Sequence, residues 1–150
     1  MQANDCAAAL AAAEGLCEAR GTRLTELRRR VLEIVCASAR PIGAYAILDV
    51  LRDDGRPGAP PTVYRALDFL LEQGLVHRLA SLNAFIGCSH PAEHHGGQFL
   101  ICERCGCVGE LDSHEVEDGI VRAAAAVGFA ARTQMVEILG RCAACRDAPA

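Results

Sequence analysis

The 150-residue chain contains no lysine, no long uninterrupted apolar run and no basic residue among Met1 to Asp5. The Ala-rich stretch that follows is broken by Glu14. A signal peptide and a membrane span are therefore not expected, and the reading is a cytoplasmic protein. Low-complexity segments and sequence repeats are lacking too, apart from two matched Cys-x-x-Cys pairs. With 51% apolar and 23% charged residues, this excludes collagen-like, mucin-like and disordered classes. No nucleophile, base and orienting acid stand together, so the sequence gives no support for an enzyme or a small-molecule substrate. A basic excess is also missing: the net charge is -4 and the pI about 5.7. The deficit is local, however. Residues 1–80 balance their charges, and all of the negative excess lies in residues 81–150. The two parts are built for different partners. That every basic residue is Arg reads, beside the abundant Ala, as a mark of genome composition.

One medium domain or two small ones fit this length, and small ones need a staple such as a metal, a disulfide or a second subunit. Nine cysteines supply candidates. A composition break falls near Ala80. Before it the spacing predicts helices: Ala7 to Arg20, a second with Thr25 as N-cap that stops before Pro41, a third from Gly43 to about Asp53, and, after a Gly/Pro loop, Thr62 to Gln73 ended by Gly74. Leu75 to Leu79 and Ala84 to Cys88 then alternate as two strands of a hairpin. Helices followed by a small hairpin make a winged helix. Its last helix, bearing Tyr64 and Arg65, is the one that would enter a DNA major groove. A helical-bundle piece with an exposed Tyr and Arg is the plain alternative. Beyond a loop at Pro91 to Gly97, strands at Gln98 to Ile101 and Cys107 to Leu111, a helix from about Ser113 to Gly128 and a strand from Phe129 to Gly140 form a small α/β unit. The expected class is α+β, with a winged-helix domain at residues 1–88, a hinge about residues 80–97 and an α/β domain at residues 89–150.

Cys102-Glu103-Arg104-Cys105 and Cys142-Ala143-Ala144-Cys145 are the strongest local signal. Two thiolates separated by two residues reach one cation from a tight turn, and two such turns furnish the four sulfurs of a structural zinc site. Gly106 can take positive φ and turn backbone N–H groups toward the sulfurs. A single Cys-x-x-Cys can instead be a dithiol switch, and Cys107 lies beside the first pair, but two matched pairs favour zinc over redox turnover. Cys6, Cys17 and Cys36 stand at no ligand spacing and read as small buried apolar residues. A mixed set, His77, Cys88, His90, His94, His95 and Glu110, spans the junction of the two parts, and zinc suits its nitrogen, sulfur and oxygen donors.

The run Pro60-Pro61-Thr62-Val63-Tyr64-Arg65-Ala66-Leu67-Asp68-Phe69-Leu70-Leu71-Glu72-Gln73-Gly74, with Cys102-x-x-Cys105-Gly106 and Cys142-x-x-Cys145, closely resembles the zinc-sensing members of the ferric uptake regulator family, from about Ala13 to Arg146. The resemblance implies a homodimeric repressor of zinc-uptake genes that binds double-stranded operator DNA, with two zinc ions per chain and a C-terminal dimerisation domain. It makes Cys102, Cys105, Cys142 and Cys145 the structural zinc ligands. It makes His77, Cys88, His95 and Glu110 the regulatory ligands, His95 taking precedence over His94 by its offset from Cys102. Tyr45, Tyr64 and Arg65 match the family's DNA contacts, and Arg23 with Arg28 its backbone-contacting stretch. The iron and peroxide sensors of the family carry a His-rich cluster with an interleaved Asp where this chain has His90-Pro91-Ala92-Glu93-His94-His95, which with Cys88 favours zinc.

Overall fold

The computed structural model describes residues 6–56, 58–91 and 97–146. The chain divides into two compact units, Gln2–Glu93 and His94–Ala150.

In the first unit, α1 (Cys6–Ala19), α2 (Glu26–Ala37), α3 (Ala44–Asp53) and α4 (Pro60–Glu72) precede a hairpin of β1 (Val76–Leu79) and β2 (Ala84–Gly87). Each boundary has a local cause. The Thr25 side chain accepts from Arg28 N–H and so starts α2, satisfying one of the donors a helix leaves open at its first turn. Helix α4 starts two residues earlier than the spacing predicts, at Pro60, because proline in a first turn has no N–H to lose and a φ already helical. Gly74 ends it at φ +69°, a conformation costly for any residue with a Cβ. The hairpin is antiparallel in the register Val76↔Gly87 to Leu79↔Ala84, and Ile42 bridges Phe85 beside it.

The helices pack because each turns one apolar stripe inward. Val31, Leu32 and Val35 of α2, Ile47, Leu48 and Leu51 of α3, and Val63, Leu67 and Leu70 of α4 are almost wholly buried together. Each large aliphatic side chain buried in this way stabilises by roughly 1.5–3 kcal/mol. Cys17 and Cys36 belong to this core and Cys6 packs on it, as expected of cysteines with no ligand spacing. Ion pairs brace the rim: Arg30 to Asp54 at 2.7 Å, Arg56 to Glu26 at 2.5 Å, and Arg29 to Glu14.

The second unit is a three-stranded sheet ordered β4-β3-β5, with β3 (Gly97–Cys102) in the centre, β4 (Val108–Glu110) antiparallel to it and β5 (Met135–Gly140) parallel. Helix α5 (His114–Ala126), N-capped by Ser113, makes the crossover that a parallel pair requires. The strand expected from Phe129 is shorter than the apolar pattern suggested: it begins at Met135, where the described ladder with β3 begins at Gly97. A four-residue helix α6 (Ala143–Arg146) follows, inside the second cysteine pair. Buried side chains here are few. Among the described residues they are Gln98, Phe99, Ile101 and Cys102, all on β3, and α5 contributes none. Leu100, Val121, Val127, Phe129, Met135, Ile138 and Leu139 stay exposed.

Candidate metal centres and nucleic-acid interface

The four cysteines of the two pairs converge. One sulfur each from Cys102, Cys105, Cys142 and Cys145 all lie within 4.8 Å of one another, although Cys105 and Cys142 are 37 positions apart in the chain. Cys102 ends β3 and Cys142 follows β5, so the parallel register Cys102↔Gly140 delivers both pairs to the same end of the sheet. The first pair is folded by Gly106, at φ +69°, whose N–H donates to Cys102 O at 2.9 Å. The second is folded by α6, in which Cys145 and Arg146 N–H both donate to Cys142 O. Thiolates bound to zinc at about 2.3 Å on a tetrahedron stand about 3.8 Å apart. Cys105 and Cys142 Sγ are 3.7 Å apart, so the donor set fits zinc by spacing as well as by chemistry.

Backbone dipoles prepare that set for a cation. The Cys102 thiol is lowered to about 5, first by the N–H of Cys142 at 3.4 Å and then by those of Cys105 and Arg104. Cys105 is lowered as well, chiefly by the Cys107 thiol. Cys145 is pushed up to about 12 by its neighbour Cys142 and by burial. The quartet therefore holds a mixture of thiolate and thiol before a metal arrives.

In the first unit, His77 stands on β1 and Cys88 directly after β2, and their ligand atoms lie within 4.8 Å of each other. The Cys88 N–H donates to Leu75 O at 3.0 Å, which fixes the thiol at the foot of the hairpin; Cys88 is buried and His77 half-buried. Glu110 lies on β4 of the second unit, paired with Phe99. His94 and His95 lie outside the described residues.

Tyr64 and Arg65 are exposed near the start of α4, and Tyr45 is 66% exposed at the start of α3. Among the described residues the guanidinium groups of Arg65 and Arg23 make no ion pair or hydrogen bond, which leaves both available. Arg28 is different. Its guanidinium lies over the Phe69 ring at 3.7 Å and donates to Arg23 O at 2.7 Å, so it joins α2 to α4 and holds the preceding turn. Forty-one positions separate Arg28 from Phe69, and no local signal pairs them.

The family model described as the ferric uptake regulator family matches residues 19–139, which include the whole of α4 and the first Cys-x-x-Cys pair and stop short of the second. The chain belongs to the ferric uptake regulator family. Within that family it is 44% identical over 142 residues to the zinc uptake regulation protein of Escherichia coli strain K12, covering 94% of this chain and 83% of that protein. It is 31% identical to the zinc uptake regulation protein of Mycobacterium tuberculosis, over 86% of this chain and 98% of that one. A solved zinc uptake regulator complexed with zinc and DNA superposes with a TM-score of 0.90 at 43% identity, covering 95% of this chain and 96% of that chain.

Proposed function

We propose that this member of the ferric uptake regulator family is a zinc-responsive transcriptional repressor, acting in the cytoplasm as a zinc-loaded homodimer on operator DNA and silencing zinc-uptake genes. The observation that carries the reading is the pairing of His77 with the buried Cys88 across the hairpin foot. A thiol donor beside an imidazole suits zinc better than the harder cations and weighs against the iron and peroxide sensors of the same family. The E. coli zinc uptake regulation protein and the zinc- and DNA-bound regulator support the same assignment.

Two zinc ions per chain are proposed. Cys102, Cys105, Cys142 and Cys145 hold the structural ion, whose binding free energy is folding free energy for the second unit. His77, Cys88, His95 and Glu110 form the regulatory set. Bound there, zinc supplies a crosslink that holds the DNA-reading lobes of a dimer at half-site spacing, roughly 34 Å apart. The coupling between metal and DNA is reciprocal and about 1–3 kcal/mol for an allosteric pair of this kind. Arg65 reads base edges, Tyr64 and Tyr45 contact the groove wall, and Arg23 contacts the phosphate backbone, with Arg28 acting on the same stretch. The exposed apolar residues of α5 and β5 suit a second copy of the chain.

The test is recovery of genomic fragments by the purified dimer at free zinc buffered low and then near saturation, with wild type and Cys88→Ser. Enrichment of a few promoters by wild type at high zinc alone, with Cys88→Ser needing at least about tenfold more zinc, is expected. Equal enrichment at both zinc levels overturns the sensing role. Restoration by ferrous ion with no dependence on Cys88 would make it an iron sensor instead.

A further inference from the structure

The quartet leaves one thiol at its own turn unused. Cys107 Sγ stands 3.0 Å from Cys105 Sγ, closer than the 3.7 Å between Cys105 and Cys142. That gap is only about 1 Å longer than a disulfide bond. The turn holds the two side by side: Gly106 between them has φ +69°, and Cys102 N–H donates to Cys107 O at 2.9 Å. Both thiols are half-buried, within reach of a small oxidant, whereas Cys17 and Cys36 are sealed in the first unit's core. Zinc in a structural site takes four ligands, so a fifth sulfur adds nothing to coordination. It does add a second thiol next to a ligand.

We propose that Cys107 is the resolving thiol of an oxidation switch built into the structural metal site. A peroxide converts Cys105 to a sulfenic acid: the Cys105 sulfur attacks one peroxide oxygen, the O–O bond breaks, and the other oxygen leaves as water after taking a proton. Cys107 Sγ then attacks the Cys105 sulfur. The S–S bond forms, the S–O bond breaks, and the sulfenic oxygen leaves as water with the Cys107 proton. Two thiols and one peroxide thus become one disulfide and two waters. With Cys105 in the disulfide only three ligands remain, and the site loses its metal. Oxidants would thereby release the second unit's staple and lift repression. Reduction followed by zinc restores both. The inference rests on the quartet holding zinc.

The experiment uses the zinc-loaded full-length protein and its Cys107→Ser variant, with zinc per chain measured first. Hydrogen peroxide is added, zinc release is followed with a coloured chelator, and free thiols are trapped by alkylation before digestion with trypsin. Cleavage after Arg104 and Arg122 leaves Cys105 and Cys107 on one peptide that holds no other cysteine. The proposal expects that peptide to appear unalkylated and two hydrogens lighter, in step with zinc loss, and Cys107→Ser to release zinc on the order of tenfold more slowly. A linkage among other cysteines, or wild-type release from the variant, overturns it. A normal initial zinc content in Cys107→Ser shows that the variant is folded. A preparation whose quartet never held zinc would instead overturn the zinc reading, and the peptide would still show whether the pair closes.

Discussion

Replacing Arg28 by Ala separates two roles that its sequence position alone would merge. The guanidinium lies 3.7 Å from the centre of the Phe69 ring and donates at 2.7 Å to Arg23 O. A cation over an aromatic face contributes about 0.5–1 kcal/mol when exposed and about 2 when desolvated. A hydrogen bond from a charged donor to a partly exposed carbonyl adds about 1 kcal/mol. Arg28 is half-buried and Phe69 only 9% exposed, so the middle of that range applies and Arg28→Ala is expected to cost the first unit about 1.5–3 kcal/mol. For a unit of this size, that lowers the melting temperature by about 6–24 °C, at about 4–8 °C per kcal/mol. Thermal unfolding followed by circular dichroism measures it. Phe69→Leu keeps the burial but removes the ring face, so the double variant should lose less than the sum of the singles. Weaker DNA binding should accompany the loss, because the contact orients α4. An unchanged melting temperature, with full additivity and a lower salt dependence of DNA binding, would refute the reasoning and leave Arg28 a plain phosphate contact.

Arg65→Ala should leave the melting temperature alone, since its guanidinium has no partner among the described residues, while weakening operator binding by about 1–3 kcal/mol, or about 5- to 150-fold, unevenly across base-substituted sites; anisotropy titrations that showed equal loss on every sequence would count against base reading. In metal-free reduced protein, one thiol should ionise near pH 5 rather than near 9: Cys102 is lowered in the fold, so its contribution to stability is complete above about pH 9, drains as pH falls from there, and is gone below about 5. Thiolate absorbance against pH checks this, and four thiols titrating together near 9 would contradict it. Stripping zinc with a strong chelator should lower hydrogen-exchange protection in α5 and α6 without unfolding them and leave that of α1 to α4 unchanged; protection lost evenly through the chain would argue against a staple confined to the second unit.

Local chemistry was the part of this molecule that the sequence displayed. The Cys-x-x-Cys pairs, the Thr25 cap and the Gly74 stop each act over three or four residues, and each stands where its spacing placed it. Strand length was less readable. An apolar run at residues 129–140 marks what could pair, but the ladder with Gly97 to Cys102 decides what does. The same limit hid α6, four residues long and set by the turn its two cysteines share. Contacts between distant side chains left no trace at all: nothing near Arg28 announces Phe69. Cys107 was visible beside Cys105, yet its approach to that sulfur depends on the sign of one glycine φ.

Under the proposed function, the scant interior of the second unit sets the order in which a new molecule matures. Among the described residues, twenty buried side chains form the first unit's core. Its successor along the chain has β3 to bury and little else, so it waits for an ion and for another copy. A young chain in a zinc-poor cell is accordingly a half-reader: it can touch an operator, but with one hand. Maturation itself then acts as a filter, admitting to the regulatory pool only molecules that have already met the element whose supply they govern.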